Sequence, residues 1–166
     1  MIVIADTTPL HYLVLLNHAD ILQELYGRVA IPEAVYRELQ AAGTPAIIKQ
    51  WIANRPDWLE VRRVSAPPDL ALTELDAGER EAIALAETLR ADAVILDDKA
   101  ARREAQRRKL RVIGTLRVLD DAAVAGLVDL PQALRRLRAA GFYVDTTLVQ
   151  LLLDRHSQRT RGKATT

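Results

Sequence analysis

The sequence predicts an α/β fold, a three-layer α/β/α sandwich with helices on both faces of a central parallel sheet. Three observations carry that prediction. The runs IVIA (2–5) and AVIL (93–96) are apolar throughout, as strands buried on both faces are. Strand-like runs alternate with helix-length segments along the chain. With 166 residues, 49% of them hydrophobic, the chain has material for one well-formed core.

The elements follow in order. After the strand at 2–5, PLHYLVLL (9–16) opens a helix with Pro9 in its first turn, where a missing N–H costs little. A second helix covers 19–26 and stops at Gly27. RVAI (28–31) reads as a strand, and a helix then runs from Pro32 to Gly43. Residues 45–54 are helical, Pro56 breaks the pattern, and WLEVRRV (58–64) alternates like a more exposed strand. SAPPDL (65–70) is a loop, followed by a helix at 75–91 and the strand at 93–96. A basic helix precedes RVIG (111–114), and helices follow near 116–126, 131–140 and 145–154. The reading is a single domain over 1–155 with a basic, mobile tail at 156–166.

Composition excludes several chemistries. There is no cysteine, so disulfides, thiolate metal sites and cysteine nucleophiles are out. The three histidines, His11, His18 and His156, do not share helical metal-ligand spacing. The first residues lack the basic flank of a signal peptide and meet Asp6 early, and no apolar run approaches a membrane span. The expectation is a cytoplasmic protein with no membrane partner.

The net charge of +1 hides an uneven distribution. Residues 1–98 hold 8 Lys/Arg against 16 Asp/Glu, whereas residues 99–166 hold 15 against 6. Seven of the basic residues fall in 99–111, with Glu104 as the only acid there. Such a run is ordinarily a solvated helix face. It gains meaning as a phosphate-binding surface where an acidic, metal-binding centre lies beside it.

Ligands of open parallel sheets sit beyond the carboxyl ends of the strands. Two buried strands end in acids there, IVIA in Asp6 and AVIL in Asp97 and Asp98. A carboxylate at that place is costly unless hydrogen-bonded, paired or on a metal. Several acids on one edge repel one another, which a divalent cation relieves, and an oxygen-only set suits Mg²⁺ or Mn²⁺. Each acid also has a plain structural reading. Asp98 caps the following helix, and Thr8 either orients Asp6 or caps its helix. Glu38 flanks the apolar stripe of a helix, where a lone Glu is ordinarily solvated. Glu79 stands three residues after Asp76, the spacing of a capping box, and Gly78 leaves room for a close approach.

Five pieces in order then resemble a known family. They are Asp-Thr-Thr after strand one, Ile-Pro-Glu-Ala-Val-x-x-Glu-Leu on a helix, Gly-Glu-x-x-Ala-Ile-x-Leu-Ala on another, Ile-Leu-Asp-Asp-x-x-x-Arg at a strand end, and Val-Ile-Gly-Thr. Together they resemble the PIN-domain (PilT N-terminus-like) nucleases, of the branch with a glycine–glutamate motif and paired aspartates. The likeness covers about residues 1–128. It implies a parallel-sheet α/β/α fold and a ribonuclease whose acidic cluster binds Mg²⁺ or Mn²⁺. By position the cluster is Asp6, Glu38, Glu79 and Asp98, with Asp97 as a further ligand or a neighbour behind them. Many members carry Asp where this chain has Glu79, a side chain one methylene shorter.

The resemblance also implies RNA as substrate, held through Thr8, Lys99, Arg102 and Arg103, with Arg102 best suited to clamp a phosphate by two hydrogen bonds. Many small prokaryotic members are toxins of toxin–antitoxin pairs, which makes an antitoxin protein a partner and a homodimer the expected state. Leu148, Leu151 and Leu152 form a stripe fit for that dimer or for the chain's own core. Two other readings stand beside this one. A catalytically inactive fold would serve as a nucleic-acid or partner-binding module. A haloacid-dehalogenase-type phosphatase needs a second Asp two residues after the first, and position 8 is Thr.

Overall fold

A computed structural model describes residues 1–65 and 69–165. Five parallel strands form one sheet in the order β3-β2-β1-β4-β5. They are β1 (Ile2–Ala5), β2 (Arg28–Pro32), β3 (Leu59–Arg62), β4 (Ala93–Ile95) and β5 (Val112–Ile113). In register, Val3 faces Val29 on one side and Ala93 on the other, so β1 is the central strand. Ile4, Ala30 and Val94 point into one core with Ala82, Ile83 and Ala86 of α5 (Ala77–Thr88) and Ala101 and Ala105 of α6 (Lys99–Arg107). Val3, Ala5, Val29, Ile31 and Ile95, of opposite parity, are also buried, the mark of a sheet covered on both faces. This is the α/β/α sandwich that the unbroken apolar runs require.

The connections are α1 (Thr7–Leu15), α2 (Ile21–Tyr26), α3 (Glu33–Glu38) and α4 (Ala46–Ala53), with a single 3₁₀ turn at Leu70–Leu72 before α5. The middle of the expected loop at 65–70, residues 66–68, lies outside the described residues. One helix is shorter than its sequence pattern: α3 stops at Glu38 instead of reaching Gly43. The amides of Gln40 and Ala41 turn back to Arg37 and Glu38 carbonyls at 3.0 and 3.2 Å, and the Thr44 hydroxyl donates to the Glu38 carbonyl at 3.3 Å. These tight turns end the helix and leave Glu38 in its last position.

The chain separates into two compact units, Met1–Thr115 and Leu116–Thr166. The second holds most of α7 (Thr115–Val124) together with α8 (Leu130–Ala139) and α9 (Thr146–Ala164). Asp129 and Asp145 cap α8 and α9, and Arg159 reaches the buried Asp120 at 2.7 Å. Helix α9 continues through most of the residues expected as a tail. Its leucines divide: Leu152 is buried, whereas Leu148 and Leu151 are 42% and 54% exposed. Among the described residues no helix is long and apolar enough to cross a membrane.

Arg108 closes the outer side of α6. Its guanidinium bonds Glu104 at 2.7 Å, Glu87 of α5 at 3.1 Å and Asp69 at 2.7 Å, while its side chain is only 11% exposed. Hydrogen bonds from Arg107 and Arg108 pull Glu104 down to about 2. Truncation removes three charged contacts and the packed stem together. Arg108→Ala is therefore expected to cost about 1–3 kcal/mol in urea unfolding, with Arg108→Lys recovering less than half of it. Equal midpoints for Lys and Arg would show that the forked geometry contributes nothing.

Candidate metal centre

The backbone amide of Asp6 donates to the Ile95 carbonyl at 3.1 Å, one rung past the last residue of β1, and fixes Asp6 at the carboxyl edge of the sheet. Asp6 precedes α1 without a side-chain capping bond. The residue is 4% exposed, and its Oδ1 is buried without a hydrogen-bond partner. Burial is the largest influence on the carboxyl, raising it to about 8. The charges of Asp76, Glu79 and Glu38 add to the rise, and a hydrogen bond from the Thr7 backbone opposes it.

The two acids nearest Asp6 are, by contrast, satisfied by protein donors. Glu38 accepts from the Thr7 hydroxyl and from the Gly78 amide at 2.9 Å. Asp76 caps α5, accepting from the Glu79 amide at 2.8 Å, while Glu79 accepts from the Asp76 amide at 3.1 Å. The capping box read in the sequence is thus formed, and the free N–H groups at the start of α5 hold three carboxylates. One oxygen each of Asp6, Glu38 and Asp76 lies within 4.8 Å of the others. Gly78 is what permits this approach, because a Cβ there would stand 2.5 and 2.9 Å from the two Glu38 carboxylate oxygens.

Glu79 and Asp98 extend the cluster electrostatically. Glu79 is 9% exposed and is pushed up to about 7, first by burial and then by the charges of Asp76, Asp98 and Glu38 against a hydrogen bond from Asp76. Asp98 caps α6 through the Ala101 amide at 2.9 Å, as its sequence position suggested. Asp97 points elsewhere: both its oxygens accept from Thr115, the amide at 2.8 Å and the hydroxyl at 2.6 Å. Burial raises its carboxyl, while the Thr115 bonds and the Arg102 charge oppose that rise.

The expected ligands Asp6 and Glu38 therefore come together with Asp76, which the sequence marked only as a cap. The hydroxyl that reaches a carboxylate is that of Thr7, one residue before the expected Thr8, and its partner is Glu38. Among the basic residues, Lys99 and Arg103 are exposed on α6. Arg102 is half-buried, donating to the Leu96 carbonyl at 3.3 Å beside Gly114, which has no side chain to block it.

The donor set fits a hard divalent cation. It offers only carboxylate oxygens, one of them buried and unpartnered, and its mutual repulsion is what such an ion relieves.

Comparison with known proteins agrees with this fold. None of the curated proteins matches the chain. Among solved structures it is similar to a PilT N-terminus domain protein from the hyperthermophilic archaeon Sulfolobus solfataricus P2. That likeness has 22% identity and a TM-score of 0.54, over 74% of this chain and 93% of the other, and shows a shared fold. The family model for the PIN domain matches residues 2–158, nearly the whole chain. PIN domains are generally metal-dependent nucleases, and it is this family match, not the sheet order, that speaks against the phosphatase reading. With the family model matched over residues 2–158 and its acids gathered at the carboxyl edge of the sheet, the chain belongs to the PIN domain family.

Proposed function

We propose that the chain is a ribonuclease that hydrolyses RNA phosphodiester bonds with Mg²⁺ or Mn²⁺ held by Asp6, Glu38 and Asp76. The observation that carries the reading is the buried, unpartnered Oδ1 of Asp6 inside a ring of acids. A divalent ion supplies Lewis acidity and an activated water for in-line attack on phosphate. Asp6 gives up its proton on loading the site. Thr7 and Gly78 fix the rotamer of Glu38, and the capping box fixes that of Asp76. Glu79 and Asp98 add the negative charge that concentrates cations there. Lys99 and Arg103, on the helix that Asp98 caps, bind the RNA backbone, whereas Arg102 acts by anchoring the start of α6 to Leu96, the residue after β4. Aromatic residues make up only 4% of the chain, so base stacking contributes little to recognition.

In the same reading the chain is the cytoplasmic toxin of a toxin–antitoxin pair, silenced by an antitoxin that covers the acidic edge. The exposed Leu148 and Leu151 of α9 support a homodimer. The test is cleavage of a mixed single-stranded RNA pool with Mg²⁺, Mn²⁺ or EDTA by wild type, Asp6→Asn and Asp98→Asn. Asparagine still caps a helix, so Asp98→Asn removes charge without unfolding α6. Metal-dependent cleavage lost in both variants supports the proposal. A folded wild type that binds no Mn²⁺ and cuts no RNA favours a binding module instead.

A further inference from the structure

Strand β3 is an edge of the sheet, and among the described residues no strand pairs with its outer side. The Val29 amide donates to the Trp58 carbonyl at 3.1 Å. Because a parallel ladder uses every second residue, Glu60 and Arg62 turn their backbone toward β2, and Leu59 and Val61 turn theirs outward. The Leu59 amide closes a turn on the Pro56 carbonyl at 3.0 Å, so the N–H and C=O of Val61 form the centre of the exposed edge. Alongside runs a groove of about 660 Å³ bounded by 53–57 and by β3 itself.

The charge around this edge is unbalanced. Arg28, Arg55 and Arg62 line the edge with two acids, Asp57 and Glu60, while Arg37 beside them has Glu33 and Glu81 as its own neighbours. Arg28 and Arg62 share the single carboxylate of Glu60, and they are 77% and 49% exposed. Arg37 reaches Glu33 and Glu81 only at 3.9 and 3.8 Å. The guanidinium of Arg55 lies 5.5 Å from the Tyr36 ring centroid and, among the described residues, has no carboxylate partner. The arginines occupy both faces beside the strand: Arg55 and Arg37 with Val61 and Tyr36 on one, Arg28 and Arg62 with Leu89 on the other.

We infer that the β3 edge is a docking site for an acidic, extended segment of a partner protein, which adds a strand by pairing with Val61 and sets carboxylates against Arg28, Arg55 and Arg62. Side chains alternate across an added strand, so both arginine-bearing faces are met by one peptide. A second copy of β3 is a poorer occupant, because two copies bring the arginine excess against itself. The inference uses none of the metal-centre residues and does not depend on the nuclease reading.

The experiment is a titration of the isotope-labelled full chain, followed by amide NMR, with acetyl-Glu-Val-Asp-Val-Glu-Val-amide and with its lysine-substituted counterpart. The expected result is a shift centred on the Val61 amide and affinity for the acidic peptide at least about 10-fold above that for the basic one, falling with salt. Val61→Pro removes the edge donor at a position where an edge strand tolerates proline, and should abolish binding. Arg55→Glu/Arg62→Glu alters exposed side chains only, and should weaken binding about 10-fold or more even where Val61→Pro fails to fold. Equal binding of the two peptides, no binding, or binding indifferent to the arginine variants would overturn the inference. So would displacement of the peptide by a single-stranded RNA oligomer, or self-association that Val61→Pro removes, since each names a different occupant.

Discussion

Asp6→Asn is expected to reduce metal-dependent cleavage at least about 100-fold while raising the stability of the metal-free protein at pH 8. The opposite signs follow from the same burial. In the absence of metal, Asp6 is raised from 3.8 to about 8, chiefly because its charged form is cut off from water and faces Asp76, Glu79 and Glu38. A folded state that holds its proton more tightly than the unfolded chain carries the stability of that proton in full below the unfolded value. It loses that stability progressively as pH rises from about 4 through about 8. Glu79, raised to about 7, adds a loss of the same sign over a narrower span.

Asparagine has no proton to lose, so thermal melts in EDTA should separate the variant from wild type increasingly between pH 4 and pH 8. Mn²⁺ reverses the order. It stabilises the state that binds it by about 2.7 kcal/mol at a hundred times its dissociation constant, and wild type alone should show that gain. A variant that melts with wild type at every pH in EDTA, or gains equally from Mn²⁺, would remove Asp6 from the centre.

How much of this was legible before the structure depends on whether the signal was local. IVIA and AVIL announce buried strands because every residue but the exposed Ile2 faces a covered layer, and the acids that follow them mark the functional edge of the sheet. The capping box of Asp76 and Glu79 is likewise a spacing of three residues, and it forms as read. What the spacing conceals is that Asp76 also faces Asp6 and Glu38, from positions 70 and 38 residues away in the chain. Pattern alone assigns the residue one role, and the topology gives it two. The choice between Thr7 and Thr8 turns on where α1 starts, and α3 ends at Glu38 through turns whose donors lie beyond it. Arg102 illustrates the reverse case. Its position after the acids suits a phosphate clamp, yet a carbonyl at Leu96 and an absent side chain at Gly114 give it a nearer partner. Those features belong to the residues that follow β4 and β5, and nothing in the basic run itself reports them.

Gly78→Ala should leave the fold nearly as stable as wild type and still disable the centre. The position lies in the first turn of α5, where alanine is favoured over glycine by about 0.5–1 kcal/mol. Against that gain, the new methyl would stand 2.5, 2.9 and 3.0 Å from Oε2, Oε1 and Cδ of Glu38, closer than atoms can approach. The obstructing group is the end of a flexible side chain, so Glu38 swings away and the backbone stays. In leaving, it gives up the bonds from Thr7 and the Gly78 amide and ceases to face Asp6 and Asp76. The expected outcome is a melting temperature within a few degrees of wild type, with Mn²⁺ affinity lower by about 10- to 100-fold and cleavage lower by at least as much. Glu38→Ala supplies the decisive comparison. If displacement of Glu38 is the whole effect, adding Glu38→Ala to Gly78→Ala changes Mn²⁺ affinity no further, although alone it causes a similar loss. Additive losses would mean that the glycine is needed for something other than the approach of Glu38, and wild-type Mn²⁺ affinity in Gly78→Ala would mean that Glu38 is not a ligand.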